Sequence, residues 1–507
     1  MSSNSSKNVT IAKNSIYLFL RTFVSIIVTL FTSRIFINQL GIEDYGIYNL
    51  VGGVVSVFYV LTSFMTGATQ RFLSVEIGKG DYTEMNKILN ISITIHLFIA
   101  VVFIVIGEIV GMILIYHYLN VPEGKEALTR IVFHFALLTS VVSLISIPYN
   151  AFILAKERMS FFAMITIADV ILKLLVTLAL YLVNQKLIVY SILFLIANTI
   201  ITFGYYYYCK RKLELPRYAY YNYKHNDEYK EMLAFSGWSF LGYFSSATRE
   251  HGSSIVLNMF FGVLLNAAMG VVNQVYGVFT RLFLNLQAAF RPQIIQNAYT
   301  DKARYDNLLN ICTFYTILLM GLICTPFILG CNTILTLWLG LVPDYAVLFV
   351  QLMMFKVLFA SITQCLTIAI EAFAQLKATM IASCVISVVA IIISFFLLKI
   401  GLPPYWAIIL LISSELAFLV YRAYYTAKYN LVDFKEWIHY NMSAFITVIF
   451  FIGVAFWVSR YMSSHLVSLL SMSAITGLYC ITALAVIKKN QRRILLDKLK
   501  TVLQINK

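Results

Sequence analysis

The sequence predicts an all-α integral membrane protein with about fourteen transmembrane helices, and composition is the first reason. Only 12% of the 507 residues are charged, whereas 60% are hydrophobic. Soluble domains carry about 25% charged residues, so a chain this long with half that share needs lipid around it. Apolar segments long enough to cross a bilayer recur along the whole chain. No segment between them is long enough for a folded soluble domain.

The first seventy-two residues contain the unit that the rest of the chain repeats. Two apolar segments, 14–40 and 47–70, flank a short acidic link bounded by Gly41 and Gly46. At about 1.5 Å per residue, each segment is long enough for a hydrocarbon core of roughly 30 Å. A link this short predicts that the two helices cross the membrane as a hairpin.

The remaining spans follow from hydropathy in the same way. With the first two they make fourteen: 14–40, 47–70, 88–116, 128–153, 161–183, 187–208, 234–261, 264–290, 308–330, 345–373, 378–399, 404–426, 437–458 and 464–487.

The basic residues predict the orientation of these spans. With a cytoplasmic N-terminus, 27 of the 38 lysines and arginines lie in inner loops or the C-terminal tail, and five lie in outer loops. An excess of this size is typical of cytoplasmic loops, so we expect both termini in the cytoplasm. Because the basic residues are spread between spans, the net charge of +15 does not predict a nucleic-acid partner.

An internal repeat is visible when the chain is shifted on itself by about 220 residues, as is common in transporters. Gly41 then falls on Gly262, and Arg71 falls on Arg291. The repeat predicts two six-helix lobes related by a parallel internal repeat, plus two C-terminal helices. The predicted domains are an N-terminal lobe with a basic linker, 1–230, a C-terminal lobe, 231–430, and the extra helices with a basic tail, 431–507.

Four basic residues inside predicted spans are candidates for a cationic cavity that binds substrate: Arg21, Arg249, Arg281 and Lys356. Arg21 and Arg281 lie roughly 12–16 Å from the cytoplasmic ends of their spans. Neither has a carboxylate within one helical turn in sequence. An arginine fork binds phosphate bidentately and stays charged at any depth, so such a cavity would attract a diphosphate. Salt bridges between the lobes are the alternative.

Polar and aromatic side chains surround these charges and could contact a sugar chain: Tyr243, Asn273, Gln274 and Tyr276. Hydrogen bonding between packed helices is the other interpretation.

Three carboxylates lie inside predicted spans and are candidates for binding a coupling ion, either H⁺ or Na⁺: Glu108, Asp169 and Glu415. Asp169 and Lys173 are four residues apart, so they can neutralise each other on one helix face. Glu108 and Glu415 are isolated in sequence. Each is either a protonated, hydrogen-bonded carboxyl or a coupling-ion site.

Motifs of enzymes are absent from the sequence. It contains no P-loop, no H-E-x-x-H and no serine elbow. The seven cysteines are scattered and form no metal-ligand spacing. The chain is therefore predicted not to be an enzyme and to need no metal or other cofactor beyond a coupling ion.

The opening of the chain also resembles a known family. A polar, lysine-containing N-terminus precedes the first span, Arg34 follows, and LG-x-x-x-YG-x-Y runs from Leu40 to Tyr48. This arrangement resembles the opening of polysaccharide exporters and, more narrowly, of Wzx-type O-antigen flippases in the MATE-like (MOP) superfamily. With the span count and the repeat, the resemblance extends over nearly the whole chain.

The resemblance implies a flippase for polyprenyl-diphosphate-linked oligosaccharide, carried on undecaprenol across the bacterial cytoplasmic (inner) membrane by alternating access. Because no ATP motif is present, an ion gradient or the membrane potential would supply the energy. The implied partners are the lipid-linked oligosaccharide, membrane lipids, and a polysaccharide polymerase with other assembly proteins. A MATE-type cation-coupled drug or metabolite antiporter, a peptidoglycan-precursor flippase and a non-transporting scaffold remain alternatives.

Overall fold

The computed structural model describes residues 2–215, 217–221, 228–230, 232, 244–245, 247–373, 375–461 and 465–487; within these ranges, no side chain is described at 2–23, 57–68, 250, 289, 376 and 465–466. All regular structure in this part of the chain is helical, as the sequence predicts. In chain order the helices are α1 (Ser2–Lys79), α2 (Tyr82–His117), α3 (Glu126–Ala155), α4 (Met159–Leu178), α5 (Lys186–Lys212), α6 (Ser253–Phe261), α7 (Val263–Asn297), α8 (Lys302–Leu329), α9 (Cys331–Leu339), α10 (Ala346–Ala372), α11 (Leu376–Lys399), α12 (Tyr405–Lys428), α13 (Phe434–Ser459) and α14 (His465–Val486). A 3₁₀ turn, Ala179–Leu182, extends α4, and a π-helical turn, Thr248–Gly252, precedes α6.

Twelve helical stretches of the described chain are long and apolar enough to cross a membrane. Eleven of them each coincide with one predicted span, and the twelfth, Val24–Ser56, runs through Gly41 and overlaps the spans predicted at 14–40 and 47–70. The span predicted at 47–70 continues α1, and much of the span predicted at 234–261 lies outside the described residues. The protein is therefore a multi-pass helical membrane protein.

The predicted hairpin turns at one residue instead of through a link. Gly41 alone within α1 has non-helical angles, φ 77° and ψ 171°. Phe36 and Tyr48 are twelve residues apart, about 18 Å along a straight helix, yet their ring centroids lie 4.8 Å apart. The chain thus folds back at Gly41. The acidic residues expected in the link, Glu43 and Asp44, instead form the first turn of the second helix, where the helix dipole favours negative charge.

The same turn occurs again at the position that the internal repeat predicts. Gly262, between α6 and α7, has φ 74° and ψ −170°. Only glycine adopts this conformation without steric strain, so both hairpins need glycine at this point. The shared geometry supports the alignment of Gly41 with Gly262.

The chain divides into two units, which differ in extent from the predicted domains. The first comprises Met1–Gly270, Trp338–Asp344 and Ser383–Ala407; the second comprises Val271–Leu337, Tyr345–Ala382 and Ile408–Lys507. The domain boundaries predicted at 230 and 430 stay predictions.

Close helix packing forms the core of the first unit. α1 packs against α2, α3 and α4, and α3 packs against α5. Gly111 of α2 lies under the Phe133 ring of α3, and an added Cβ would meet that ring at 2.1 Å. Small residues that let helices approach this closely are typical of membrane interfaces.

In the second unit, α8 is the central helix and packs against α10, α13 and α14. The Tyr479 hydroxyl of α14 donates to the Leu318 carbonyl of α8 at 2.7 Å. Gly321 lies beside that hydroxyl and leaves room for it. These contacts anchor the last described helix to the centre of the unit.

Candidate substrate-binding residues

Lys356 is buried in the middle of α10, in the second unit. Lys356 is 1% exposed, and its Nζ lies 4.3 Å from the centroid of the Tyr276 ring on α7. Removing an ammonium from water is costly, and an aromatic face offsets about 2 kcal/mol of that cost when the contact is desolvated. The structure therefore joins two predicted site residues, the cation Lys356 and the possible sugar contact Tyr276.

α7 and α10 run parallel and are tied together at three levels. Besides the contact of Tyr276 with Lys356, the Gln287 amide donates to the Ser361 carbonyl at 2.8 Å. At the far end, Arg291 forms an ion pair with Glu371 at 2.7 Å. These bonds fix the register of the two helices and hold Lys356 beneath Tyr276.

Arg281 lies on an open face of α7. It is exposed together with Leu284, Asn285 and Ala288, which follow it at helical spacing. Among the residues that the structure describes, none hydrogen-bonds or pairs with its guanidinium. Ten residues separate Arg281 from Arg291, about 15 Å along the helix, so the charge lies deep within an apolar span.

The other α7 candidates, Asn273 and Gln274, are half-buried in the second unit. Asn273 lies three residues before Tyr276 and Gln274 two residues before it, on the same helix. Tyr243 lies outside the described residues.

Arg249 belongs to the first unit and lies in the π-helical turn Thr248–Gly252. Its Nη1 donates to Ser245 Oγ at 3.0 Å and approaches Ser387 Oγ of α11 at 3.4 Å, and the two hydroxyls lie 2.9 Å apart. π-helical turns are rare and are frequent at functional sites. Arg21 lies in α1, but its side chain is outside the described part.

The three candidate carboxylates have different surroundings. The Asp169 carboxylate pairs with Lys173 Nζ at 2.8 Å, as the spacing predicts. Glu108, isolated in sequence, pairs with His134 Nδ1 of α3 at 2.9 Å. Glu415 of α12 is 6% exposed, and no described residue forms an ion pair with it.

The acidic start of the second hairpin helix is held by lysines from elsewhere in the first unit. Lys125 Nζ contacts Asp44 and also lies 3.4 Å from Glu43. Partial burial lowers the pKa of Lys125, but the hydrogen bond and charge of Asp44, with the charge of Glu43, raise it above its ordinary value. Lys186 donates to the Gln39 carbonyl just before the turn. These contacts fix the two helices of the hairpin on either side of Gly41.

A buried asparagine network, not predicted as a site, lies beside the glycine turn at Gly262. The Asn258 amide accepts from the Asn120 backbone N–H at 2.8 Å and donates to Asn266 Oδ1 at 2.9 Å. Asn266 in turn donates to the Ser254 carbonyl at 2.9 Å. In sequence, the only signal is several asparagines in apolar segments.

An apolar groove of about 460 Å³ lies in the second unit between α7, α8 and α14. Its lining includes Leu286, Phe290, Leu322 and Ile487. The lining is almost entirely apolar, so the groove suits a hydrocarbon chain. Sequence periodicity does not predict this groove, because an apolar helix face has the same sequence pattern whether it packs against another helix or stays open.

Metal binding has no obvious place in the described residues, where no group of three or more His, Cys, Asp or Glu is arranged to hold an ion.

The spans, the hairpin repeat and the cations inside apolar helices together define a multi-pass helical membrane protein. Comparison with known proteins identifies the fold. The MatE family model matches residues 16–179. A search of curated proteins finds no match in sequence.

Solved structures share the fold over most of the chain. The lipid II flippase MurJ, in its inward closed conformation, aligns with a TM-score of 0.69 and 15% identity, over 92% of this chain and 98% of MurJ. An inward-facing multidrug resistance MATE family transporter of the MOP superfamily aligns at 0.63 and 10% identity, over 88% and 99%. The MATE multidrug transporter DinF-BH aligns at 0.62 and 14% identity, over 83% and 95%.

These comparisons confirm the predicted fold class, which this chain shares with the lipid II flippase MurJ and with a MATE family transporter of the MOP superfamily. The solved structures named here are one flippase and two transporters, in agreement with the prediction that the chain is not an enzyme. The narrower resemblance to Wzx-type flippases is a proposal.

Proposed function

We propose that this protein is a flippase for polyprenyl-diphosphate-linked oligosaccharide, the repeat unit of an O-antigen, capsule or exopolysaccharide. It would act in the bacterial cytoplasmic membrane, with both termini in the cytoplasm. The substrate would enter from the inner leaflet and leave to the outer one by alternating access.

The observation that carries this proposal is Arg281. A guanidinium about 15 Å before Arg291, on an open face of an apolar span, is costly unless water or a ligand reaches it. No described residue neutralises it. A diphosphate would supply the missing negative charge in the bidentate geometry that arginine prefers.

Two further features of the second unit support a lipid-linked anion. Lys356 adds a second cation beside an aromatic ring, and a flat sugar face stacks on such rings. The apolar groove between α7, α8 and α14 suits the polyprenyl tail. The fold shared with the lipid II flippase MurJ supports a lipid-linked substrate on architectural grounds.

The alternative is cation-coupled export of a drug or metabolite, because MATE transporters share the fold. That mechanism needs acidic residues available to a cation. Of the three candidates, Glu108 and Asp169 are paired with His134 and Lys173. These pairs make two of the three carboxylates less available to a cation, which argues against the antiporter. The excess of basic residues inside the spans also argues against it.

Energy would come from an ion gradient or the membrane potential. Moving one charge through 100 mV is worth about 2.3 kcal/mol. A coupling H⁺ or Na⁺ would bind at a carboxylate, and Glu415 is the buried candidate without a described cationic partner.

The test is mass spectrometry of lipid extracts from cells that lack the protein, compared with complemented cells. We expect polyprenyl-diphosphate oligosaccharide to accumulate in the deletion strain and to be cleared by the wild type. Arg281→Gln should fail to clear it at normal expression. Arg304→Gln, an exposed arginine near the start of α8, is the matched control and should clear it.

Unchanged lipid pools together with altered sensitivity to cationic drugs would reject the flippase and favour the antiporter. Accumulation of a peptidoglycan precursor instead would redirect the proposal to that substrate. Full clearance by Arg281→Gln would remove the cationic site from the proposal.

A further inference from the structure

A second groove, of about 600 Å³, lies in the first unit between α4 and α5. The two helices run antiparallel, because Phe161 near the start of α4 stacks on Tyr208 near the end of α5, with ring centroids 3.6 Å apart. Both helices are long and apolar enough to cross the membrane. All residues that line the groove lie within the first ten residues of α4 and the last nine of α5, so the groove runs from the ends of the two spans about 13 Å inward.

Small residues give the groove its depth. Ala168 lines it from α4 and Gly204 from α5. A Cβ added at Gly204 would meet Ile165 Cδ1 at 3.0 Å, so the helices approach closely at this point. Met164, 61% exposed, forms an open apolar rim. A flexible hydrocarbon chain fits such a wall.

One end of the groove is basic. Arg211 and Lys212 line it, and the Arg211 guanidinium lies 5.9 Å from the centroid of the Tyr207 ring. That stacking turns the cation towards the groove and the aromatic rim. Charged residues near this end, on the two helices and their flanking loops, are five basic and two acidic: Lys156, Arg158, Lys210, Arg211, Lys212, Glu157 and Glu214.

The groove thus joins an apolar floor, a tyrosine rim and a cationic end, in the order in which a phospholipid presents its chains, ester region and phosphate. Tyrosine is enriched at the membrane interface, and juxtamembrane basic residues attract anionic headgroups. We propose that the groove between α4 and α5 is a specific site for an anionic glycerophospholipid, with one acyl chain along Ala168 and Gly204 and the phosphate at Arg211 and Lys212.

This site is separate from the proposed substrate site, which lies on α7 and α10 of the second unit, so it holds whether or not the flippase proposal does. The lipid would act as a bound component that stabilises the packing of α4 on α5. Under the predicted orientation it would come from the inner leaflet.

The test is the thermal unfolding midpoint of the full-length protein in detergent micelles that contain either phosphatidylglycerol or phosphatidylcholine at equal mole fraction. We expect phosphatidylglycerol to raise the midpoint more than phosphatidylcholine does. Arg211→Gln should lose at least half of that difference. Lys428→Gln should keep the full difference between the two lipids. Lys428 also ends an apolar helix and lies over the Tyr424 ring one turn before it, but it does not line this groove.

A steric variant tests the apolar part. Ala168→Phe should fill the groove and abolish the preference for phosphatidylglycerol, whereas Ile171→Phe, on an exposed position of the same helix, should preserve it. If Ala168→Phe does not fold, Arg211→Gln still decides the proposal.

Three results would overturn the site. One is an equal effect of the two lipids on the wild type. Another is an equal loss in Arg211→Gln and Lys428→Gln, which would indicate general surface charge. The third is full stabilisation by soluble glycerol 3-phosphate, which would show that the acyl chains contribute nothing.

Discussion

Gly46 packs directly against the backbone of Val263: a Cβ added at position 46 would lie 2.2 Å from the Val263 carbonyl oxygen. Near it, Gly270 lies against the side chain of Asn49, with an added Cβ 2.4 Å from Oδ1. Asn49 and Gly270 are related by the same sequence offset as Gly41 and Gly262. Equivalent positions of the two hairpins thus meet at their turn ends, within the first unit.

Gly46→Ala is therefore expected to lower stability, because the methyl group collides with backbone that has no rotamer to change. Overpacking of this kind costs about 1–3 kcal/mol. The measurement is the thermal unfolding midpoint of the purified protein.

Gly52→Ala is the matched control, since it lies in the same helix and an added Cβ meets nothing within 4 Å. It should be neutral or stabilising, as Ala favours the helix by about 0.5–1 kcal/mol. Equal midpoints for the two variants would mean that the close approach to Val263 is not needed in the folded protein.

Asn258→Ala should destabilise the same end of the molecule. Asn258 is fully buried, and its loss removes the acceptor of the Asn120 N–H and the donor to Asn266 Oδ1. An unsatisfied buried polar group costs about 1–3 kcal/mol. Asn297→Ala, which removes an amide that donates within its own helix, should change the midpoint much less. A neutral Asn258→Ala would show that the network is not part of the fold's stability.

The contact between Lys356 and Tyr276 predicts opposite outcomes for two substitutions of the ring. Tyr276→Phe keeps the aromatic face and should keep the midpoint near that of the wild type. Tyr276→Leu should lower stability by about 0.5–2 kcal/mol, the usual range of a cation–π contact. If the two variants unfold alike, the ring contributes only apolar packing.

Lys356→Met addresses the role of the charge itself. Methionine preserves much of the apolar stem, so we expect the protein to express and fold. We also expect at least a tenfold loss of clearance of the lipid-linked oligosaccharide, measured as in the proposed lipid analysis. Clearance at the wild-type rate would exclude Lys356 from substrate binding.

Glu108 is paired with His134, whereas no described residue forms an ion pair with Glu415. Substitutions of the two carboxylates therefore distinguish a role in ion coupling from a structural role. Glu415→Gln should make substrate clearance independent of the imposed ion gradient in vesicles. Glu108→Gln should retain the dependence, because Glu108 is already paired with His134. The reverse result would move the coupling site to Glu108.

Sequence periodicity predicts most of the fold because spanning helices must satisfy their backbone hydrogen bonds internally and must be apolar over a fixed length. For that reason eleven of the twelve membrane-length stretches each match one predicted span. Gly41 was also predictable as the break, although the shape of the turn was not. Glycine can adopt a positive φ but does not have to, so the sequence was equally compatible with a longer link between the two helices of the hairpin.

The candidate site was less predictable. Asp169 and Lys173 pair as their spacing predicts, since neighbours on one helix are fixed by its pitch. Glu108 and His134 belong to different helices, 26 residues apart, and nothing in local sequence brings them together. Lys356 and Tyr276 are likewise on separate helices, and only the register set by Gln287 and Arg291 places one beneath the other.

By itself, then, the sequence determined that this chain is a multi-pass helical membrane protein with a repeated hairpin and cations inside its spans. Those properties follow from the cost of exposing backbone or charge to lipid, which acts on every residue independently of the fold. The tertiary structure alone decided which charges are neutralised, where apolar faces stay open as grooves, and how closely Gly46 approaches Val263. Such features depend on the packing of helices distant in sequence, whose contacts differ even where their hydropathy is the same.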